Sequence, residues 1–413
     1  MSSQLTYLWK EPHAPRNYRS AVSLHGHTHH SKEGLYFIWQ YAKRNPILRL
    51  ALASQTRLAK TKSDITADFA SAHWKPPLSP LAALEVEREQ IQHVLGLQPM
   101  ISLTDHDDIE APMLLRVLPK GRDVPISVEW TVPYNGATFH VGIHNLPPGR
   151  AETIFARLRQ WTESPDPQRL HDLLQMLHDH RDVLVILNHP MWDLGGIGKE
   201  MHVDTLHRLV AQHGMFFHAF ELGGVRSWEE NQAVLEFAEA WGELVMGGGD
   251  RHGVEPSAFV NLTNAENFTD FVHEVREKRR SHVLVMPQYA EPFALRILQT
   301  LLDAIREYPE YPQGSRKWDE RVFHHDRHGV LRPLSTLWDK PPVFIDLFFA
   351  AVRLLEITPI REVLRMMLAK PRKQMSFVSG RRQEGLSHAR PTGRVLPMHV
   401  QRSRRRGEHQ PAV

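Results

Sequence analysis

Short apolar segments alternate with helical stretches from Ala21 to Met286, and this alternation limits the folds open to the chain. The apolar segments span 21–25, 100–106, 125–130, 138–144, 183–189, 216–222, 244–250 and 282–287. Helical patterns at 81–95, 152–161, 169–180, 203–213, 228–241 and 268–280 lie between most of them. Strands that alternate with helices predict an α/β fold with a parallel sheet. Seven or eight such units favour a closed barrel over an open doubly wound sheet.

The flanking segments predict a four-part organisation. Residues 1–20 resemble an N-terminal arm, 21–287 form the barrel, 288–370 form a helical C-terminal region, and 371–413 form a basic, disordered tail. A helical insertion, with a lid as the alternative, interrupts the barrel at 35–77. The tail carries 10 basic and 2 acidic residues, whereas the rest of the chain has a net charge of −5. Residues 343–357 are interpreted as a buried helix, with an interfacial membrane helix as the alternative.

Composition excludes several classes of protein. The chain has no cysteine, so disulfides, thiol catalysis and cysteine-ligated metals are excluded. It has no uncharged apolar stretch of membrane-spanning length and no signal-like run near its start, so we expect a cytoplasmic protein without a transmembrane span. Histidine is abundant, at 27 of 413 residues. Any transition metal must therefore be bound through imidazole and carboxylate groups.

Residues with metal-binding side chains cluster at the ends of the predicted strands. They are His25, His27, Asp105, His106, Asp107, Glu129, His140, His144, His189, Glu221, Asp250 and His252. In a parallel barrel, the carboxyl ends of the strands open on one face, where these side chains would meet. On an extended strand, His25 and His27 would share a face about 6.6 Å apart, whereas His140 and His144 would lie roughly 13 Å apart, too far for one ion. The set predicts two or three divalent ions, with Zn²⁺, Mn²⁺ or Fe²⁺ suited to these ligands.

Four motifs in order resemble those of the PHP (polymerase and histidinol phosphatase) family. They are His25-Gly26-His27-Thr28-His29-His30-Ser31, Thr104-Asp105-His106-Asp107, Asn188-His189-Pro190 and Gly249-Asp250-Arg251-His252. The resemblance covers roughly residues 20–286. It implies a distorted (β/α)7 TIM-like barrel with a metal centre that hydrolyses phosphoesters. Carried over by position, it makes His25, His27, His106, Glu129, His140, His189, Asp250 and His252 metal ligands, and Glu33 falls near a further ligand position.

The resulting hypothesis is a metal-dependent phosphoesterase that cleaves a phosphomonoester or phosphodiester by metal-activated hydroxide attack. Arg251 is expected to contact the phosphate, ahead of Arg226 and Lys32. Proton donors to the leaving group are sought in the set Asp107, His144 and His218. A small phosphorylated substrate is the expected partner. The alternatives are a nuclease that acts on nucleic-acid ends, a catalytically silent metal-binding regulatory module, and an amide or ester hydrolase.

Overall fold

A computed structural model of the chain describes residues 2–35, 72–326, 328–337 and 343–368. The chain up to Pro371 forms one compact unit. Most of the insertion predicted at 35–77, and the whole tail predicted at 371–413, lie outside the described residues.

Regular elements follow the predicted alternation with several additions. The strands are β1 (Ser2–Tyr7), β2 (Ser20–Ser23), β3 (Glu33–Gly34), β4 (His73–Trp74), β5 (Gln98–Ile101), β6 (Ile126–Tyr134), β7 (Ala137–Leu146), β8 (Leu184–Asn188), β9 (Ala219–Gly223), β10 (Val245–Gly248), β11 (Phe259–Thr263), β12 (Arg280–Val285), β13 (Val322–His325) and β14 (Leu331–Pro333). The helices are α1 (Pro80–Glu89), α2 (Glu110–Val117), α3 (Ala151–Glu163), α4 (Pro167–Asp179), α5 (Lys199–His213), α6 (Trp228–Trp241), α7 (Phe268–Arg276), α8 (Phe293–Ile305), α9 (Trp318–Arg321), α10 (Val343–Leu354) and α11 (Thr358–Leu368). A π-helical turn at Gln90–Leu95 continues α1.

Two five-stranded sheets carry most of the strands. Their orders are β1-β12-β11-β2-β5 and β10-β9-β8-β7-β6. Both sheets are mixed, because β11 runs antiparallel to β12 and β2, and β7 runs antiparallel to β6 and β8. The expectation of an all-parallel sheet is therefore wrong at these pairings. The described ladders of these ten strands form two open sheets, so the fold is mixed α/β and a closed TIM-like barrel is not confirmed.

The antiparallel β6–β7 pair is a hairpin whose turn is visible in the sequence. Asn135 and Gly136 form the two-residue turn, and both have positive φ angles, of 47° and 84°. An Asn-Gly pair between two apolar runs is a strong hairpin signal, because this turn requires left-handed backbone at both positions. The prediction of a parallel sheet, which included the segments 125–130 and 138–144, did not take this turn signal into account.

The two large sheets share one apolar core. Val22 and Met100 from the first sheet lie in one buried cluster with Ile186 and Met246 from the second. Helix α7 contributes a stripe to the same cluster, formed by Phe268, Phe271, Val272 and Val275. These positions recur at intervals of three and four residues, so they lie on one face of the helix.

The segment predicted as an N-terminal arm contains an edge strand. β1 runs parallel to β12, with Ser2 opposite Arg280 and Tyr7 opposite Val285. The strand was not predicted because SSQLTY is short and largely polar.

The C-terminal region contains strands as well as the predicted helices. β13 and β14 join β4 and β3 in a four-stranded sheet of order β14-β13-β4-β3. Helix α10 is only partly buried, since Val352 packs against Leu302 and Ile305 while Leu347 is exposed. The interpretation of this segment as a buried helix is therefore corrected for these side chains. None of the helices in the described ranges has the length and apolar character needed to cross a membrane.

Candidate metal centre

Nine predicted ligand side chains converge between the ends of the two large sheets. His25 and His27 follow β2, His106 follows β5, Glu129 and His140 lie on the β6–β7 hairpin, His189 follows β8, Asp250 and His252 follow β10, and Glu33 lies on β3. A parallel bridge between His106 and Glu129 joins the two sheets at this point. Residues 25 and 252 are far apart in the chain, yet their ligand atoms belong to one network of close contacts.

Several of these side chains belong to residues in left-handed backbone turns, not in extended strands. His25, His189 and Asp250 have φ angles of 63°, 28° and 46°. Such angles are uncommon for residues other than glycine and concentrate at functional sites. The i, i+2 strand geometry expected for His25 and His27 is therefore wrong. Their rings still lie close together, with centroids 5.0 Å apart.

Glu129 lies at the centre of the cluster. Its Oε1 atom is 3.1 Å from His25 Nε2, 3.2 Å from His140 Nδ1 and 3.1 Å from His189 Nε2. Its Oε2 atom is 3.0 Å from His106 Nδ1. The two oxygens therefore face different groups of histidines, and Glu129 belongs to two of the groups that could hold an ion.

Glu33 and Asp250 extend the cluster on either side of His252. Glu33 Oε2 is 2.9 Å from His252 Nε2 and 3.1 Å from His106 Nε2. Asp250 Oδ1 is 3.5 Å from both His27 Nε2 and His252 Nδ1. Four three- or four-membered groups with ligand atoms within 4.8 Å of one another result, and they share His25, His27, His106 and Glu129. Because the groups share these members, they form one continuous cluster.

Several of the converging atoms have no hydrogen-bond partner despite their proximity. His25 Nε2, His27 Nε2, His140 Nδ1 and Glu129 Oε2 are buried and unpartnered in the described structure. Unsatisfied buried polar atoms are rare in folded proteins. Ligand atoms bound at about 2.0–2.1 Å around a tetrahedral ion lie roughly 3.3 Å apart. The contacts match that spacing but lack hydrogen-bond geometry, so these residues fit a metal site.

Three histidines are oriented by hydrogen bonds at their other ring nitrogen. His25 Nδ1 lies 2.6 Å from Glu221 Oε1, His252 Nδ1 lies 2.8 Å from the Asp250 carbonyl oxygen, and His27 Nδ1 lies 3.3 Å from Ser31 Oγ. With donation from these nitrogens, each Nε2 lone pair points into the cluster. Metal-binding histidines are commonly held by such an outer contact.

Burial and charge perturb the titration of the cluster. Burial lowers the pKa of His106, but the Glu33 and Glu129 carboxylates outweigh it and raise the pKa to about 10. Burial also opposes ionisation of Glu33, Glu129 and Asp250, yet neighbouring histidines, and for Asp250 first a nearby arginine, hold all three pKa values well below the ordinary range. Burial lowers the pKa of His189 to about 3. The site therefore combines ionised carboxylates with at least one neutral imidazole at neutral pH.

Two of the three residues predicted for catalysis, Arg251 and His144, are buried as well as engaged in internal contacts. Arg251 is buried, and its guanidinium donates to Glu87 Oε1 at 3.0 Å, to the Gly253 carbonyl at 2.8 Å and to the His27 carbonyl at 3.1 Å. His144 lies outside the ligand groups, with Nδ1 2.8 Å from Ser102 Oγ. Their predicted roles in phosphate contact and proton donation stay predictions.

The remaining candidates lie at varied distances from the cluster. Asp107 follows His106 directly, and its Oδ1 accepts from the Thr131 amide at 2.9 Å. Arg226 donates to Asp250 Oδ2 at 2.7 Å, and its guanidinium lies 3.6 Å from the Trp192 ring centroid. Lys32 is exposed. The alternative proton donor His218 is buried in the second sheet, where its Nδ1 accepts from the Val185 amide.

Sequence reasoning underestimated the residues that orient the ligands. Glu221, a strand-end candidate that was not among the ligands implied by the resemblance, accepts from the His189 amide at 3.0 Å and also contacts His25. Asn188 donates to Glu129 Oε1 at 2.9 Å. Position could have found Asn188, which ends β8 directly before His189, whereas Glu221 lies within β9, a strand that carries none of the nine ligands.

Comparisons with known proteins give weak similarity only. Neither the protein-family models nor the curated proteins include a match to this chain. Among solved structures, the chain is similar to a Bifidobacterium adolescentis protein provisionally assigned as a metal-dependent phosphoesterase, with 16% identity, 48% of this chain and 91% of that chain covered, and a TM-score of 0.30. It is also similar to an amidohydrolase from Chromobacterium violaceum with bound sulfate and no metal, with 15% identity, 43% and 83% covered, and a TM-score of 0.31. Scores this low do not establish a shared fold.

Proposed function

We propose that the cluster around Glu129 holds two or three divalent ions and that the protein is a metal-dependent hydrolase of phosphoesters. The observation that carries this proposal is the convergence of nine histidine and carboxylate side chains, on which four buried ligand atoms lack hydrogen-bond partners. Under this proposal, the protein would have a distorted form of the barrel that the sequence predicts.

Electrostatics support ions at this site. Glu33, Glu129 and Asp250 are buried, and their pKa values lie well below the ordinary range. Buried carboxylates require compensating positive charge. Arg226 supplies part of it to Asp250. Divalent cations would supply the rest more completely than protonated imidazoles, because they carry twice the charge.

Within this proposal, each group of the chain has a distinct task. Glu129 and Asp250 would bind through oxygens that lie between neighbouring histidines, and His25, His27 and His252 would bind through Nε2. Glu221 holds His25 in the required ring orientation. Ions bound there would act as Lewis acids toward a phosphoryl oxygen and lower the pKa of a coordinated water. Asp107, one residue from His106, is the nearest predicted proton donor along the chain.

The choice of phosphoesters over carboxylic esters and amides rests on the four-motif resemblance. The metal chemistry itself acts on both phosphoryl and carbonyl groups. A small phosphorylated substrate therefore stays the preferred partner.

The test combines metal analysis with a substrate screen. The purified full chain is analysed for bound metals, then assayed with phosphomonoesters, phosphodiesters, carboxylic esters and amides after loading with Mn²⁺, Zn²⁺ or Fe²⁺. We expect two or three ions per chain and turnover of at least one phosphoester. His25→Ala and Asp250→Ala should lose both metal and activity, whereas His93→Ala, at an exposed histidine that belongs to none of the ligand groups, should retain both.

Each alternative has its own outcome. Full metal content without turnover of any substrate favours a regulatory module. Turnover restricted to esters or amides identifies a different hydrolase. A chain that binds no divalent metal above background refutes the proposed centre.

A further inference from the structure

Helix α11 packs on the protein through its charged face. Arg361 Nη1 donates to Gln299 Oε1 at 2.8 Å, and Arg365 Nη2 lies 2.7 Å from Glu291 Oε1. Gln299 belongs to α8, and Glu291 lies just before that helix. The two arginines therefore attach α11 to the body of the protein.

The opposite face of α11 is apolar and exposed. Ile360, Val363 and Met367 recur at intervals of three and four residues, so they form one stripe along the helix. Met366 beside them is 69% exposed and Met367 is 77% exposed. An amphipathic helix on a globular protein normally turns its apolar stripe toward the core. Helix α11 does the reverse, within the part of the chain that the structure describes.

Positive charge follows this stripe directly in the sequence. Lys370, Arg372 and Lys373 come within five residues of the end of α11, and residues 371–413 have a net charge of +8. Apolar side chains beside a polybasic segment are the combination that holds proteins on anionic bilayers. Neither element is sufficient alone, because single membrane anchors of this size bind weakly and reversibly.

A second copy of the chain fits the stripe less well. An 11-residue helix is about 16 Å long, and a stripe about 10 Å wide along it covers well under the roughly 800 Å² per partner of a standard protein interface. A bilayer surface needs no complementary shape and accepts a narrow apolar stripe. We propose that the apolar stripe of α11 docks the protein on a membrane surface, and the positive charge that follows it in the sequence makes that surface an anionic one.

The test measures binding of the full-length protein to phospholipid vesicles. Vesicles of phosphatidylcholine with about 30 mol% phosphatidylglycerol are compared with pure phosphatidylcholine, at low and high salt. We expect binding to the anionic vesicles that weakens at high salt, and at least tenfold weaker binding to the neutral ones. Absence of binding, or equal binding to both, overturns the proposal.

Paired variants distinguish the contribution of the stripe to membrane binding from the general effect of adding negative charge to the surface. M366E/M367E should lower the partition coefficient at least tenfold, whereas M215E, at a methionine that is 70% exposed on the turn after α5, should leave it unchanged. R404Q/R405Q/R406Q should lower it about fivefold for each charge removed. Unchanged binding by M366E/M367E overturns the role of the stripe. Sedimentation equilibrium provides the last check, because a wild-type dimer that M366E/M367E dissociates would identify a second copy as the occupant.

None of these positions belongs to the metal cluster. Hydrolysis of a soluble substrate should therefore be equal in wild type and M366E/M367E, and the failure of one proposal leaves the other intact.

Discussion

The metal cluster and helix α11 depart from the usual burial pattern in opposite directions. At the cluster, ionised carboxylates and histidines are buried in the interior between two sheets. At α11, methionine and valine side chains face outward while arginines face the protein. Charged groups normally stay in water and large apolar groups normally leave it.

The difference between the two regions shows which kind of ligand or partner surface each of them lacks. Buried polar atoms without partners need a ligand that supplies charge, and exposed apolar side chains need a surface that removes them from water. The cluster is held rigidly by outer hydrogen bonds and strained turns, as expected for a site that must position ions. Helix α11 is attached by two arginine contacts and presents a simple stripe, which is sufficient for a fluid partner.

The largest effect is expected from Glu129→Gln. This change keeps the size of the side chain but removes the negative charge at the centre of the cluster. Metal catalysis contributes several kcal/mol to the barrier, so its loss should lower kcat/KM roughly a thousandfold. Metal analysis and steady-state kinetics measure both consequences. Glu163→Gln, at an exposed carboxylate on α3, is the control. Wild-type metal content in Glu129→Gln would contradict the central position of this residue.

Arg251 tests whether a buried cation in this region is structural or binds substrate. The Arg251–Glu87 pair is almost fully buried, and removal of one partner of such a pair typically costs about 3–5 kcal/mol. Arg251→Met should therefore lower the free energy of unfolding by that amount, as measured by urea denaturation. The double variant Arg251→Met/Glu87→Leu should recover only part of the loss, since it leaves no unpaired charge but removes the acceptor of the Ser23 hydroxyl and the Ser257 amide. A variant with normal stability and a raised KM would restore the sequence-based prediction of a phosphate contact.

The ligand candidates and Arg251 differ in how far the sequence could predict their surroundings. His25, His27, His189 and Asp250 were found because motif spacing and strand-end position are local in the chain. The contacts of Arg251 depend on Glu87, which is 164 residues away and gives no local signal. The pairing of β1 with β12 joins opposite ends of the sheet-forming region for the same reason. Alternating patterns predicted where strands occur but not which neighbours they pair with or in which direction.

A smaller effect is expected from a variant that changes the orientation of a ligand but keeps the ligand itself. A Cβ atom at Gly248 would lie 1.5 Å from Glu221 Oε1, so Gly248→Ala must displace the carboxylate that holds His25. Loss of such outer contacts typically costs 10–100-fold in metal affinity. Competition with a chelator measures the affinity, and Glu221→Gln should give a loss in the same range. Gly149→Ala, where nothing lies near the added carbon, is the matched control. Equal affinities in Gly248→Ala and wild type would show that His25 does not depend on Glu221.

The smallest effect should come from M366E/M367E in the absence of membranes. If these side chains face water in the free protein, glutamates there should change the free energy of unfolding by no more than about 0.5 kcal/mol. Leu302→Ala, in the adjacent buried cluster, should cost about 2–5 kcal/mol under the same conditions. Urea denaturation of both variants makes the comparison direct. A loss in M366E/M367E as large as that of Leu302→Ala would mean that another part of the chain covers the stripe, because only a covered side chain is costly to charge.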